Sequence, residues 1–319
     1  MSEPRLTRSR MLATAGTTTA SLALPRWARA QTPPPAIRIA TTLSEAFAEP
    51  FYANDLGFYK KAGLAADITQ YSGGETSETA VITGNADIGI TTTIQLANAV
   101  AHDVPLRLIG FCGQYSSAAP QPAIFVARDS PIRTAKDLEG KTVGVNAIGT
   151  MNFLGVQAWL AQNNEDVTKV RAIEVPFAQI AAALTRGTID AGVIGEPFIT
   201  GAKGSVRMLA PAFDVMGPHW SVSVWFSSVD YIRANRPLIR RYMDVAYQTA
   251  KFVNAQPAST NAILAKYSKL PIETVTAMSR TQFAERPDPS TCRLPLDYAY
   301  KYKILARPVT VEDLTAAAG

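Results

Sequence analysis

The feature that most constrains the fold is an internal echo. Ala80 to Ile90 (AVITGNADIGI) lies over Ala183 to Val193 (ALTRGTIDAGV) at a constant offset of 103 residues. Gly84 falls on Gly187, Asp87 on Asp190 and Gly89 on Gly192. The first glycine of each set suits the left-handed residue that ends a helix, and the aspartate opens a buried strand. The flanking pattern repeats too. Apolar runs at 37–40, 66–71, 87–90 and 106–111 read as strands. Helical spacing covers 51–61, 75–83 and 94–102, with Tyr52, Leu56 and Tyr59 on one face of the first. The series recurs as strands at 142–145, 170–175 and 191–194 around helices at 151–162 and 179–186. Strand–helix units of this length build a mostly parallel sheet covered on both faces. The repeat therefore predicts an α/β chain of two equivalent lobes, each with a doubly wound, mostly parallel sheet.

After Trp220 the texture becomes helical. Leu238, Tyr242, Val245, Thr249 and Phe252 share one face of a long helix after Pro237, Pro271 opens another, and Thr310 to Asp313 fits a capping box. A helical tail with no sheet of its own packs back on the first lobe, so the chain crosses between lobes twice. The β-rich segments Ala123 to Arg128 and Ser221 to Phe226 are the expected crossings of a two-strand hinge. Lobe 1 then comprises residues 37–123 and 226–319, and lobe 2 residues 124–225.

Residues 1–30 hold five arginines, a mildly apolar middle and a closing Ala28, Arg29, Ala30, the order of a secretory signal. Neither that middle nor any later stretch reaches the roughly 20 apolar residues that span a bilayer. The expected mature chain starts at Gln31 with a stiff spacer over 31–36 (QTPPPA). Its expected destination is the periplasm, by the general secretory route or, given Thr7 to Leu12 (TRSRML), by the twin-arginine route. The leader also explains the charge. The chain has 31 basic and 26 acidic residues, a net +5; without Arg5, Arg8, Arg10, Arg26, Arg29 and Glu3 the counts become 26 and 25. A near-neutral body without clustered Lys or Arg excludes a nucleic-acid footprint. Cys112 and Cys292 carry no metal-ligand spacing, so neither metal nor cofactor is expected, while a disulfide between them stays open.

Four motifs in order, LGFYKKAGLAADI, GNADIGIT, SPIRTAKDLEGKTVGV and GTIDAGVIGEPF, resemble the nitrate/sulfonate/taurine-type periplasmic solute-binding proteins of ABC transporters. That group shares its fold with thiamine-precursor binding and synthesis proteins. The resemblance covers roughly residues 37 to 260. It implies a type II periplasmic-binding-protein fold and a monomer that closes on a small organic ligand, either sulfonate- or taurine-like or nitrogen-bearing and precursor-like. It also implies delivery to an ABC permease and ATPase at the inner membrane. Several sulfonate binders carry Trp and Asp before the proline where this chain has Gly195 and Glu196, a departure from the sulfonate pattern. The alternative is an enzyme on the same scaffold. A thiamine-precursor synthase would need a cysteine cluster for iron, which the chain lacks. A sulfinate desulfinase would need a nucleophilic cysteine with His and Arg beside it, and only Cys112 stands at a strand end.

A physical rule selects the site independently. Ligands of open parallel sheets bind beyond the carboxyl ends of the strands. In the first lobe this names Ser44, Glu45 and Phe47, then Gly73, Gly74 and Glu75, then Thr92 and Thr93, then Gln114 and Tyr115. In the second it names Gly149, Thr150 and Met151, and Glu196, which the offset of 103 sets against Thr93 across the cleft. Trp220, beside the second crossing, joins Phe47 and Tyr115 as an aromatic grip. The loops Gly73–Glu75 and Gly149–Met151 end at helix N-termini, where free N–H groups and the helix dipole favour an anion. Yet the strand-end loops contain no Lys or Arg and hold Glu45, Glu49, Glu75 and Glu196, with Glu49 and Glu75 placed to complement the dipoles of first turns. A multiply charged anion is therefore disfavoured; a neutral, nitrogen-bearing or singly charged ligand is expected. Hinge closure is the expected mechanism, because only a ligand touching both lobes stabilises the closed form.

Overall fold

The computed structural model describes residues 36–42, 44–146, 148 and 150–316. The expected leader, and the spacer up to residue 35, lie outside the described residues.

Strand β1 (Ala36–Thr41) leads to helix α1 (Glu49–Asp55), and Gly57 at φ 74° turns the chain before α2 (Phe58–Lys61). The single helix expected over 51–61 is thus two, because glycine takes the left-handed conformation at no steric cost. Then follow β2 (Ala65–Gln70), α3 (Gly74–Ile82), β3 (Ile88–Thr92), α4 (Thr93–Ala101), β4 (Leu106–Phe111) and the short β5 (Gly113–Ser116). The second series is β6 (Ala123–Ala127), β7 (Thr142–Val145), α5 (Met151–Gln162), β8 (Arg171–Glu174), α6 (Phe177–Thr185), β9 (Ala191–Ile194), α7 (Phe198–Gly201) and β10 (Val206–Ala210). The return runs through β11 (His219–Ser221) and β12 (Ser223–Ser228) into α8 (Val229–Ala255), α9 (Asn261–Ser268) and α10 (Ile272–Ala277). The chain then passes β13 (Gln282–Phe283), α11 (Ser290–Lys301) and α12 (Val311–Thr315).

The two large sheets share one plan. The first is ordered β2-β1-β3-β12-β4 and the second, read in the equivalent direction, β8-β7-β9-β6-β10. Within each, the first three strands are parallel, and one strand arriving from the other lobe inserts antiparallel before the last. This is the two-lobed type II arrangement, and the sequence echo is its imprint. The repeated aspartates act alike. Asp87 accepts the Arg38 backbone N–H at 2.8 Å and donates its own to the Arg38 carbonyl at 2.8 Å; Asp190 and Thr142 exchange the same bonds at 2.8 and 2.9 Å. Each carboxylate thus satisfies a backbone donor at the start of the neighbouring strand. Gly84 (φ 73°) and Gly187 (φ 69°) end the preceding helices, as the echo requires.

The crossings differ from expectation. Ala123–Ala127 is β6, already paired with β9 and β10, and residues 223–226 already belong to β12 in the first sheet. The two passages meet instead where β5 pairs with β11, Tyr115 opposite Trp220, with β13 adding a third strand beside β5. The reason is burial. AIFVA is almost wholly buried, the habit of an interior strand rather than of a link between lobes.

The connection is also broader than two strands. Cys292, Leu296 and Ala299 on α11 are buried, and α11 packs on α4 of the first lobe and on α5 of the second. Tyr115, Trp220 and Phe213 gather in the same seam with ring centroids 5.2 to 6.1 Å apart, inside one continuous apolar cluster. Elsewhere in the tail, α8 and α9 pack against α1 and α12 against β4 and α4, all in the first lobe, while α10 touches α7 of the second. Helix α8 begins at Val229 and runs through Pro237, with Asn235 (φ −129°, ψ 23°) taking the kink, as a proline without a backbone donor demands. No helix among the described residues is long and apolar enough to cross a membrane.

Candidate functional site

In the first lobe the ends of β1, β2 and β3 meet the N-terminus of α3. A Cβ on Gly74 would lie 2.4 Å from Gln95 Oε1 and 2.5 Å from Thr91 Oγ1, so only glycine lets the helix end approach β3 this closely. The polar groups beneath it are ordered. Thr91 donates to Glu78 at 2.8 Å, Thr92 donates to Gln95 Oε1 at 2.9 Å, and the Gln95 N–H donates to Thr92 Oγ1 at 3.1 Å, closing a capping box on α4. Burial lifts the Glu78 carboxyl to about 7, with nearby Glu75 adding to the effect and the Thr91 bond opposing it. Ser44 and Glu75 are exposed and Gly73 and Thr92 half-buried, so these strand ends form one polar shelf. Gln95 and Glu78 escape a search of strand-end loops because each lies inside a helix. The Thr92-x-x-Gln95 spacing is the signal that could have found the first.

In the second lobe Thr150 and Met151 sit half-buried at the start of α5; Gly149 lies outside the described residues. Asn152 donates to Asn146 at 2.6 Å, and the Ile148 N–H donates to Glu174 at 2.9 Å.

Other expected contacts are committed elsewhere. Glu45 is buried and paired with Arg280, whose Nε donates to one carboxylate oxygen while the Thr281 N–H donates to the other at 3.0 Å. Burial pushes the Glu45 carboxyl up and the Arg280 charge pulls it down; held in an ion pair with bonds to both oxygens, it is neutralised toward any ligand. Arg280 comes from the helical tail, outside every strand-end loop, so the strand-end rule does not reach it. Phe47 is 8% exposed and packs in the first lobe's core. The Thr93 hydroxyl turns inward to the Ser221 carbonyl at 2.6 Å, so it does not face Glu196. Tyr115 and Trp220 are core residues of the seam, the Tyr115 hydroxyl donating to Asp214 at 2.7 Å. Gln114 is half-buried on the hinge sheet and lines a cavity of about 350 Å³ with His219, Lys251, Gln282 and Arg286, away from the strand ends. Glu196 accepts from the Thr200 N–H at 2.9 Å, the Thr200 hydroxyl at 3.0 Å and the Ser279 N–H at 3.2 Å. Its carboxylate caps a turn and grips the tail.

Glu49 stands in the first turn of α1, as expected, but in the core. It is fully buried, with Oε2 accepting the Trp225 indole N–H at 2.7 Å and Oε1 without a partner. Burial raises its carboxyl to about 8, so it is protonated at neutral pH. Cys112, fully buried beside it, has its thiol pushed well above the ordinary value by burial and by Glu49. A sealed, protonated thiol is a poor nucleophile. Cys112 and Cys292 are both free and buried.

Comparisons with known proteins agree with this geometry. Residues 45–260 match the sequence family described as NMT1/THI5 like. A curated chain of Escherichia coli (strain K12), named for binding aliphatic sulfonates, is 27% identical over 193 residues, 59% of this chain and 57% of that one. The match therefore spans little more than half of that relative's length. Among solved structures, the periplasmic aliphatic sulphonate binding protein SsuA from Escherichia coli has a TM-score of 0.75 at 21% identity, covering 88% of this chain and 92% of that one. The alkanesulfonate-binding protein SsuA from Xanthomonas axonopodis pv. citri, bound to MOPS, has a TM-score of 0.69 at 21% identity, covering 89% and 99%. These two structures share the fold. With most of its length inside the family's profile and the doubled sheet order beneath it, the chain belongs to the NMT1/THI5-like family.

Proposed function

We propose that the chain is the periplasmic solute-binding component of an ABC importer, working as a monomer, and that it captures a small organic monoanion of the sulfonate type between its lobes. The observation that carries this reading is the fate of the acids. Four strand-end glutamates argue, in sequence, for a nitrogen-bearing ligand as strongly as for an anion. Glu45 is neutralised by Arg280, Glu49 is protonated in the core, and Glu196 is bound to Thr200 and Ser279; of the four only Glu75 stays exposed. Beside Glu75 and the Thr91-bound Glu78, the first shelf offers the N-terminus of α3 and the amide nitrogen of Gln95, donors that suit oxygen atoms sharing one charge. No lysine or arginine stands among the strand-end loops to hold a second charge. The relatives named for sulfonates point the same way. A ligand touching the starts of α3 and α5 stabilises the closed form by its difference in affinity between open and closed, and a permease with its ATPase reads closure as the signal.

Isothermal titration calorimetry with ethanesulfonate, taurine, inorganic sulfate and an aminopyrimidine tests the proposal. Micromolar or tighter binding of a sulfonate, with sulfate far weaker, is the expected result. Binding of the aminopyrimidine alone would return the nitrogen-bearing reading, and conversion of any bound compound to product would place the chain among enzymes.

A further inference from the structure

We infer that Glu196, Gln121 and Ser279 form a latch that holds the two lobes together before any ligand arrives. The inference rests on the proposal that the lobes move. The Ser279 N–H donates to Glu196 Oε1 at 3.2 Å, Gln121 Nε2 donates to the Ser279 carbonyl at 3.0 Å, and the Glu196 N–H donates to Gln121 Oε1 at 3.2 Å. These three bonds close a ring, and its members come from different parts of the molecule. Glu196 follows β9 in the second lobe, Gln121 lies on the first passage between lobes, and Ser279 belongs to the tail.

The tail's end of the ring is anchored to the first lobe by the next residue. The Arg280 guanidinium reaches five acceptors, the Glu45 carboxylate, the Tyr52 hydroxyl, the Pro257 carbonyl, Thr260 Oγ1 and Asn261 Oδ1. Ser279 is therefore held to the first lobe if the second swings away, and the ring must break together with the packing of α10 on α7. The anchoring side holds a buried ion pair, Arg280 with Glu45, and five acceptors, whereas the ring has three bonds, a carboxylate in one of them and the exposed Ser279 in two, so the ring is the weaker of the two joints. Opening breaks the ring and leaves Arg280 in place. A weak joint of this kind biases the lobes toward closure without locking them, which leaves the final population to the ligand.

Pulsed electron paramagnetic resonance on the full mature chain without ligand tests this. Spin labels go on cysteines introduced as Lys60→Cys in the first lobe and Gln162→Cys in the second. The expected result is a single short distance in the parent, and a second, longer population in Gln121→Ala and Glu196→Ala, with the closed-to-open ratio falling about tenfold for bonds of this strength. Glu196→Gln keeps an acceptor oxygen for the Ser279 N–H and is expected to reproduce the parent distribution. Distance distributions of Gln121→Ala and Glu196→Ala that superimpose on the parent would overturn the latch. Because no ligand is present, that outcome leaves the sulfonate reading to its own calorimetric test.

Discussion

A carboxyl sealed against an indole makes folding sensitive to pH. Glu49 is held at about 8 in the folded chain against an ordinary 4.5, so the folded state keeps a proton that the unfolded state releases. Its contribution is complete below about pH 4.5, declines as the pH rises to about 8, and stays flat beyond. Glu49→Gln keeps an oxygen for the Trp225 N–H and cannot ionise. It is expected to melt like the parent in mild acid and at a higher temperature near pH 8.5; identical melting curves at the alkaline end would contradict the buried proton. The repeated aspartates make a second residue-scale prediction. Asp190→Ala strands the Thr142 N–H and is expected to cost about 1–3 kcal/mol in urea unfolding, with Asp87→Ala at least as damaging because the Arg38 guanidinium also loses its carboxylate and keeps the Gly84 carbonyl. Losses near zero in both would deny the strand-start role. At this scale Gly84, Asp87, Gly187 and Asp190 are legible in the sequence because turn and strand-start chemistry is local. Glu45 and Glu49 are not, since their partners Arg280 and Trp225 lie 235 and 176 residues away.

Helix α3 shows how one missing side chain sets an element's position. Gly74→Ala places a methyl against Thr91 Oγ1, which is fixed, and Gln95 Oε1, which can swing aside. The substitution is expected to lift the first turn of α3, costing about 1–3 kcal/mol as an overpacking change. It should also weaken sulfonate binding about tenfold or more by calorimetry; unchanged affinity would take α3 out of the site. Element types and order are readable from periodicity and glycine placement. Strand β6 reads as a crossing because a buried run such as AIFVA looks the same in either role until its neighbours are known. Gly57 sits inside an apparently continuous helical pattern, although its freedom at φ 74° ends α1.

For the whole molecule, two lobes and a tail that returns to the first are readable because an echo 103 residues apart is the trace a doubled strand–helix plan leaves in a chain. The seam through α11 is not, because its amphipathic face names no partner in sequence, and the same holds for the loop around Ser279. The lobes are therefore joined by an apolar seam as well as by β5 and β11.

The strand that each sheet borrows from across the hinge sets an order of assembly. The second sheet receives β6 at its outset and has every strand once residue 210 is made. The first sheet has a gap between β3 and β4 that only β12 fills, so it waits for residue 228. Wherever the chain folds from its N-terminal end, at the ribosome or beyond the membrane, the second sheet has its full set of strands while β3 and β4 still present two unpaired edges, and those edges are where a holding chaperone is needed most.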